Sequence, residues 1–267
     1  MTMDESSNGR NGTRSASVLR AIDISVRFGG VVAVSGVSMA VSAGEVLGLI
    51  GPNGAGKTTL FDVLSGVRAP TSGRVELDGI DLTHRSATWR ALHGIRRTFQ
   101  RQQMFGWLTV EESVLLALEW RGGGGGLLAD LIASPTRKGR ERARRQRTAD
   151  VIEMCGLTQL RNEPAGKLPI GRARMVEMAR AIVDEPRVLL LDEPSSGLEP
   201  GDTDVLGQTI RQVARGAGCA VVLVEHDVPF VMEQCDRIVA LDLGSVLAVG
   251  SPDEIRANHS VRDAYLG

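Results

Sequence analysis

The stretch Gly51-Pro52-Asn53-Gly54-Ala55-Gly56-Lys57-Thr58-Thr59 follows the apolar run Val46-Leu47-Gly48-Leu49-Ile50 and precedes Leu60, Val63, Leu64 and Val67, apolar residues at helical spacing. It therefore reads as a Gly-rich loop between a strand and a helix. Gly51, Gly54 and Gly56 permit backbone turns that aim several N–H groups at one point, Lys57 adds a positive charge there, and Thr58 offers a hydroxyl to Mg²⁺. The following helix N-terminus favours anions at the same place. A tight turn alone would not need the full spacing with its terminal Lys-Thr, so all nine residues are expected to hold the β- and γ-phosphates of a nucleoside triphosphate. The reaction that this binding drives must be read elsewhere in the chain.

A chain of 267 residues can bury a substantial core as one compact unit. Its 31 basic and 32 acidic side chains leave a net charge of −1, which gives no general electrostatic case for nucleic acid. Cys155, Cys219 and Cys235 are widely spaced, lie among apolar residues and form no Cys-x-x-Cys pair, which fits a reducing cytoplasm. The N-terminus has no apolar signal core, and no apolar run approaches the roughly 18 residues needed to span a bilayer. Work at a membrane would need another chain to cross it.

Residues 1–17 are mostly Ser, Asn, Gly, Arg and Thr and are expected to be a disordered tail. Ile22, Ile24, Val26 and Phe28 alternate with Asp23, Ser25 and Arg27, and Val37, Met39 and Val41 alternate likewise. This is the period of half-buried antiparallel strands. Gly73-Arg-Val-Glu-Leu-Asp-Gly79 adds another strand ending in an Asp-Gly turn. Residues 188–191, 220–224 and 238–241 are continuously apolar, as suits a parallel sheet covered on both faces. Between about 104 and 180 no strand is expected. Helical spacing appears there in Val110, Val114, Leu115 and Leu118 and again in Val176, Ala179, Ile182 and Val183, while Gly122 to Gly126 reads as a flexible loop. The basic run from Arg137 to Arg147 has three readings: a solvated helix face, a contact with anionic lipid headgroups, or a contact with nucleic acid.

The apolar run 188–191 ends in Asp192-Glu193. Such a strand delivers Asp192 beside the phosphate loop, where its carboxylate can hold the Mg²⁺ shell, and Glu193 next to it can orient and polarise an attacking water. His226 follows the apolar run 220–224, which places an imidazole at the same sheet edge, within reach of the γ-phosphate.

The P-loop, Gln100 in Arg97-Thr98-Phe99-Gln100, Asp192-Glu193-Pro194 and His226 together resemble the nucleotide-binding subunits of ABC transporters, over roughly residues 18–267. The resemblance implies an α/β fold: a P-loop NTPase core, a small antiparallel β part and a helical subdomain inserted at about 101–180. It makes Gln100 the glutamine that meets Mg²⁺ and water, His226 the switch histidine, and Ser196-Gly197-Leu198-Glu199 the loop crossing a dimer interface, with Glu where the family usually has Asp. Phe28 falls where an aromatic ring stacks on adenine, although packing in the apolar face of its strand is an open alternative. The implied ligands are ATP and Mg²⁺. The implied partners are membrane permease subunits, a second ATPase subunit and a solute-binding protein, with no nucleic acid, at the cytoplasmic face of the membrane.

Phe28-Gly-Gly30, Gly94-Ile-Arg-Arg-Thr-Phe-Gln100, Leu108-Thr-Val-Glu-Glu112, Glu225-His-Asp227 and Ala264-Tyr-Leu-Gly267 are together similar to the ATP-binding subunits of branched-chain amino acid importers. The ATPase of the lipopolysaccharide export system shares part of the pattern, so an exporter of lipid-like substrates is the alternative. The signature segment departs from the family: Leu168-Pro169-Ile170-Gly171-Arg172 stands where Leu-Ser-Gly-Gly-Gln is usual. Pro169 supplies neither hydroxyl nor N–H, Gly171 still allows close backbone approach to nucleotide, and Arg172 could add charge. A weakly hydrolysing partner in a heterodimer is a third reading.

Overall fold

The computed structural model describes residues 17–98, 106–119 and 135–266. The expected tail to residue 16, Gln100, the segment Gln103-Met104-Phe105 where the family resemblance implies contact with a permease, the glycine loop 122–126 and Gly267 lie outside those residues. Ser17, expected in the tail, is the first residue of a strand.

Four strands form an antiparallel sheet in the order β2-β1-β4-β5: β1 (Ser17–Phe28), β2 (Val31–Ser42), β4 (Ser72–Leu77) and β5 (Ile80–Asp81). The Asp-Gly signal makes the turn between β4 and β5, with Asp78 at φ 48° and Gly79 at φ 82°. Along β1 the expected alternation is interrupted. Ile24 and Val26 are buried, Ile22 is half-buried and Phe28 is exposed, because register shifts fall between Ala21 and Ile24 and again further on. Asp23 takes φ 50° at the first of these irregularities.

A six-stranded sheet has the order β10-β9-β3-β8-β7-β6. Its members are β3 (Val46–Ile50), β6 (Ile95–Arg97), β7 (Val188–Asp192), β8 (Ala220–Val224), β9 (Arg237–Asp242) and β10 (Ser245–Gly250). All its pairs are parallel except β9 with β10. The apolar runs of the sequence are its central strands. The short β6 carries no comparable apolar run; neither it nor the hairpin strand β10, with its run Val246-Leu247-Ala248-Val249, was foreseen. Both faces of the sheet are covered. Leu47, Leu49, Leu190, Val222 and Val239 pack with the antiparallel sheet and α1 (Lys57–Ser65), whereas Val46, Ile50, Leu189, Leu191 and Leu223 face α5 (Ile170–Ile182), α6 (Pro200–Ala217) and α7 (Val228–Gln234). Val67, expected on the helix after the phosphate loop, lies beyond its end and is exposed, since Gly66 stops the helix in the left-handed region.

Between β6 and β7 the described elements are helical: α3 (Val110–Glu119), α4 (Pro135–Met154) and α5. Val110, Val114, Val151, Ile152, Met175 and Val176 join one apolar cluster that continues onto the parallel sheet. The basic run lies on α4. Arg142 and Arg145 are exposed there, and Arg145 pairs with Glu141 one turn back. One further arginine, Arg90 on α2 (Ala87–Leu92), is 1% exposed and donates to the carbonyls of Val63, Leu64 and Leu82. It caps the C-terminal end of α1 with a buried cation whose pKa burial lowers to about 10, so it stays charged at neutral pH.

Candidate nucleotide site

The loop 51–56 sits between the C-terminal end of β3 and the first turn of α1. Gly54 and Gly56 take φ 84° and 97°, in the left-handed region. Space requires glycine as well: a Cβ on Gly51 would lie 2.3 Å from the Leu241 carbonyl, and one on Gly56 would lie 2.5 Å from the Ala33 carbonyl. Lys57 is buried, and its ammonium donates to the carbonyls of Gly51 at 2.6 Å and Pro52 at 3.0 Å. Burial lowers its pKa, an effect opposed by the charges of Glu193 and Asp192, so the three groups share one electrostatic environment. Asn53 and Thr58 are exposed at the rim, Thr59 is half-buried and Ala55 is buried.

Asp192 ends β7 and is buried. Its Oδ2 accepts from Arg97 at 2.9 Å, and the same guanidinium donates to Asp62 at 2.6 Å and Ser65 at 3.0 Å on α1, so Arg97 ties the phosphate-loop helix to β7. Burial raises the Asp192 pKa, against the pull of Arg97. Its Oδ1 is buried with no hydrogen-bond partner among the described residues, the kind of atom that a cation satisfies. A carboxylate oxygen and a threonine hydroxyl beside a phosphate loop suit a hard divalent ion. Among the described residues no three His, Cys, Asp or Glu side chains could hold a metal.

Glu193 follows at φ 48° and is half-buried. Its Oε1 lies 2.9 Å from Nε2 of His226, which is exposed beyond the end of β8. The sheet thus brings Lys57, Asp192, Glu193 and His226 to one edge, as their positions after apolar strands led us to expect. Phe28 is 43% exposed at the end of β1, and the Arg68 guanidinium lies 4.4 Å from its ring centroid. Packing of Phe28 in the core is thereby excluded. Gln100 belongs to the undescribed segment that follows β6.

The signature segment opens α5. Pro169 is the N-cap and makes no side-chain capping bond. A Cβ on Gly171 would meet Asp202 at 3.2 Å and Leu198 at 3.3 Å, so the loop 196–199 backs directly onto this helix start. Glu199 is the N-cap of α6 without a side-chain bond. Arg172 departs from expectation. Its guanidinium pairs with Asp202 at 3.1 Å and donates to the Gly156 carbonyl at 3.3 Å, so it is held by its own subunit instead of standing free at the helix start. Three residues at the site escaped the sequence reading: Arg97, Arg174 and Glu225. The first and last stand inside quoted motifs, but the partners that give them a task are distant in sequence.

Residues 34–196, more than half of the chain, match the family described as ABC transporter. The chain belongs to the ABC transporter family. Residues 245–267 of this cassette match a second family, described as branched-chain amino acid ATP-binding cassette transporter. It is 39% identical to the high-affinity branched-chain amino acid transport ATP-binding protein BraF of Pseudomonas aeruginosa, over 95% of this chain and 99% of that one. Identity to LivG of Escherichia coli, which bears the same description, is 37% over equal shares. The lipopolysaccharide export system ATP-binding protein LptB of Haemophilus influenzae is 31% identical over 94% and 98%. Among solved structures, the cassette MJ1267 of an ABC transporter in its ADP conformation superposes with a TM-score of 0.80 at 28% identity, covering 95% of this chain and all of that one. The expected family and fold are borne out. No described helix of this cassette is long and apolar enough to cross a membrane.

Proposed function

We propose that this cassette binds and hydrolyses ATP to power a permease that imports branched-chain or related amino acids, at the cytoplasmic face of the membrane. The carrying observation is the placing of Glu193, 2.9 Å from His226 and beside the buried Asp192, at the sheet edge that also holds the P-loop. In this reading residues 51–59 take the triphosphate, with Lys57 exchanging its bonds to the Gly51 and Pro52 carbonyls for phosphate oxygens. Phe28 presents an exposed ring to adenine. Thr58, Asp192 and Gln100 would hold Mg²⁺, which supplies charge neutralisation to the β- and γ-phosphates when bound. Glu193 orients and polarises the attacking water, and His226 holds Glu193 and contacts the γ-phosphate. Gly171 and the first turn of α5 approach the nucleotide of a second cassette, homologous or identical, and a solute-binding protein delivers the cargo. The match of residues 245–267 and the 39% identity to BraF support the cargo class. Amino acid uptake in vesicles that hold this cassette, its permease and an external binding protein tests the reading: ATP-dependent uptake of leucine supports it, and none across the branched-chain amino acids would refute the cargo.

One observation favours a second reading. Pro169 gives the start of α5 neither a side-chain cap nor an N–H, which supports a slow homodimer or a regulatory partner in a heterodimer. Turnover of the purified cassette, alone and with its permease, separates the two.

A further inference from the structure

Glu193 is not a glycine, yet it sits at φ 48°, a conformation that an L residue keeps only when its surroundings hold it there. Two side chains to which the sequence assigned no task do so. Arg174, on the second turn of α5, donates to the Glu193 carbonyl at 2.8 Å. Glu225, 3% exposed at the end of β8, accepts from the Ser195 amide at 2.6 Å through Oε1 and from the His226 amide at 3.2 Å through Oε2. The Glu193 amide itself donates to the Val224 carbonyl at 2.9 Å. These bonds close a ring that runs from Glu193 through Ser195, Glu225 and His226 back to the Glu193 carboxylate.

We propose that Glu225 and Arg174 are positioning residues that set the Glu193 carboxylate against His226, with Arg174 also tying the helix that begins at Ile170 to the water-activating group of the same chain. The proposal rests on the reading of Glu193 as the group that polarises water. Neither residue is itself a catalytic group. Glu225 is 3% exposed between the two turns it joins, and among the described residues Arg174 reaches a main-chain carbonyl. A packing role alone does not explain the chemistry chosen, because Arg174 keeps its Nε buried without a partner among the described residues, and an apolar residue would fill the space without that loss. Since Ile170 starts the helix and Arg174 lies one turn on, a shift of that helix start on meeting a second cassette would move the Glu193 carbonyl with it.

The test is turnover at saturating Mg-ATP, with nucleotide affinity and thermal midpoint measured on the same full-chain preparations. The variants are Glu225→Ala, Glu225→Gln, Arg174→Ala, Arg174→Lys and, as the check on the underlying reading, Glu193→Gln. Losing a hydrogen bond to a charged group corresponds to about a tenfold effect or more, so both Ala variants should lower kcat by about tenfold to a hundredfold while nucleotide affinity stays within about twofold. Arg174→Lys should recover part of the loss, because an ammonium can still donate to the carbonyl. Glu225→Gln should fall between, because its one amide oxygen accepts from only one of the two amides, and it decides alone if Glu225→Ala does not fold. Wild-type kcat in the Glu225 and Arg174 variants, beside an inactive Glu193→Gln, would overturn the proposal. So would a parallel fall of kcat, affinity and thermal midpoint with no recovery in Arg174→Lys, since that pattern belongs to packing. Wild-type turnover in Glu193→Gln would instead overturn the reading of Glu193 itself.

Discussion

In the function proposed here two helix starts of this cassette approach phosphate, and they are furnished very differently. At the start of α1, backbone turns, a buried lysine and a free-standing rim threonine converge, and two of the glycines have no room for a Cβ. At the start of α5, a proline stands at the N-cap, and the nearby arginine is turned back onto Asp202. Both ends keep the general attraction of a helix N-terminus for anions, but only the first adds side-chain donors to it. In a closed pair of cassettes each ATP would meet the rich end of one subunit and the poor end of the other. The contrast teaches that nucleotide binding and pair closure need not be equally strong in one chain, because separate segments supply them.

The largest expected effect tests whether the sheet edge beside the rich end carries the chemistry. Glu193→Gln keeps the shape of the side chain and removes its charge, so turnover should drop by about a hundredfold to ten-thousandfold while nucleotide still binds. A malachite-green phosphate assay beside a fluorescent nucleotide titration reads both. Next comes the support at the far end of the same helix. Arg90→Ala strips the donor from the buried carbonyls at the C-terminal end of α1 and should destabilise the fold by about 1–3 kcal/mol for each carbonyl left unsatisfied, read by chemical denaturation. A loss below about 1 kcal/mol would mean that water satisfies those carbonyls. Lys57→Ala should weaken ATP binding by about tenfold to a hundredfold, since one charged donor leaves the phosphate cradle; wild-type affinity would contradict the assignment of the loop.

Smaller effects are expected at the poor end. Pro169→Ser adds a hydroxyl and an N–H at the N-cap and should raise homodimer turnover by about tenfold. Arg172→Ala sharpens the comparison most finely. Had the guanidinium stood free, its loss would slow hydrolysis markedly; held by Asp202 and the Gly156 carbonyl, it should leave turnover within about twofold, as a half-exposed ion pair contributes little. A tenfold fall in steady-state rate would mean that Arg172 swings to the nucleotide.

Much of the site was legible because its groups follow strong local signals. The glycine spacing of 51–56 announced the loop, and apolar runs ending at Asp192 and just short of His226 announced the sheet edge where those residues meet. What was not legible depends on contacts between distant segments. Arg97 reads as one of two adjacent arginines until folding sets it between Asp62 and Asp192, and Glu225 reads as part of a Glu-His-Asp fragment until Ser195 arrives beside it. Phe28 was left with two readings, a ring for adenine and a place in the apolar face of its strand; its exposure at the end of the irregularly paired β1 removes the second. β10 carries an apolar run that was passed over, Val246-Leu247-Ala248-Val249; Val246 and Val249 are exposed because this strand lies at the edge of the sheet.

The claim that the two phosphate-facing helix starts are unequal is tested most directly by ATP-driven pairing in a background that cannot hydrolyse. Sedimentation velocity with Mg-ATP would compare Glu193→Gln alone with Glu193→Gln combined with Pro169→Ser. The double variant should pair at a concentration about tenfold lower, because the added donors reach the γ-phosphate across the interface. Equal pairing concentrations for the two proteins would contradict it.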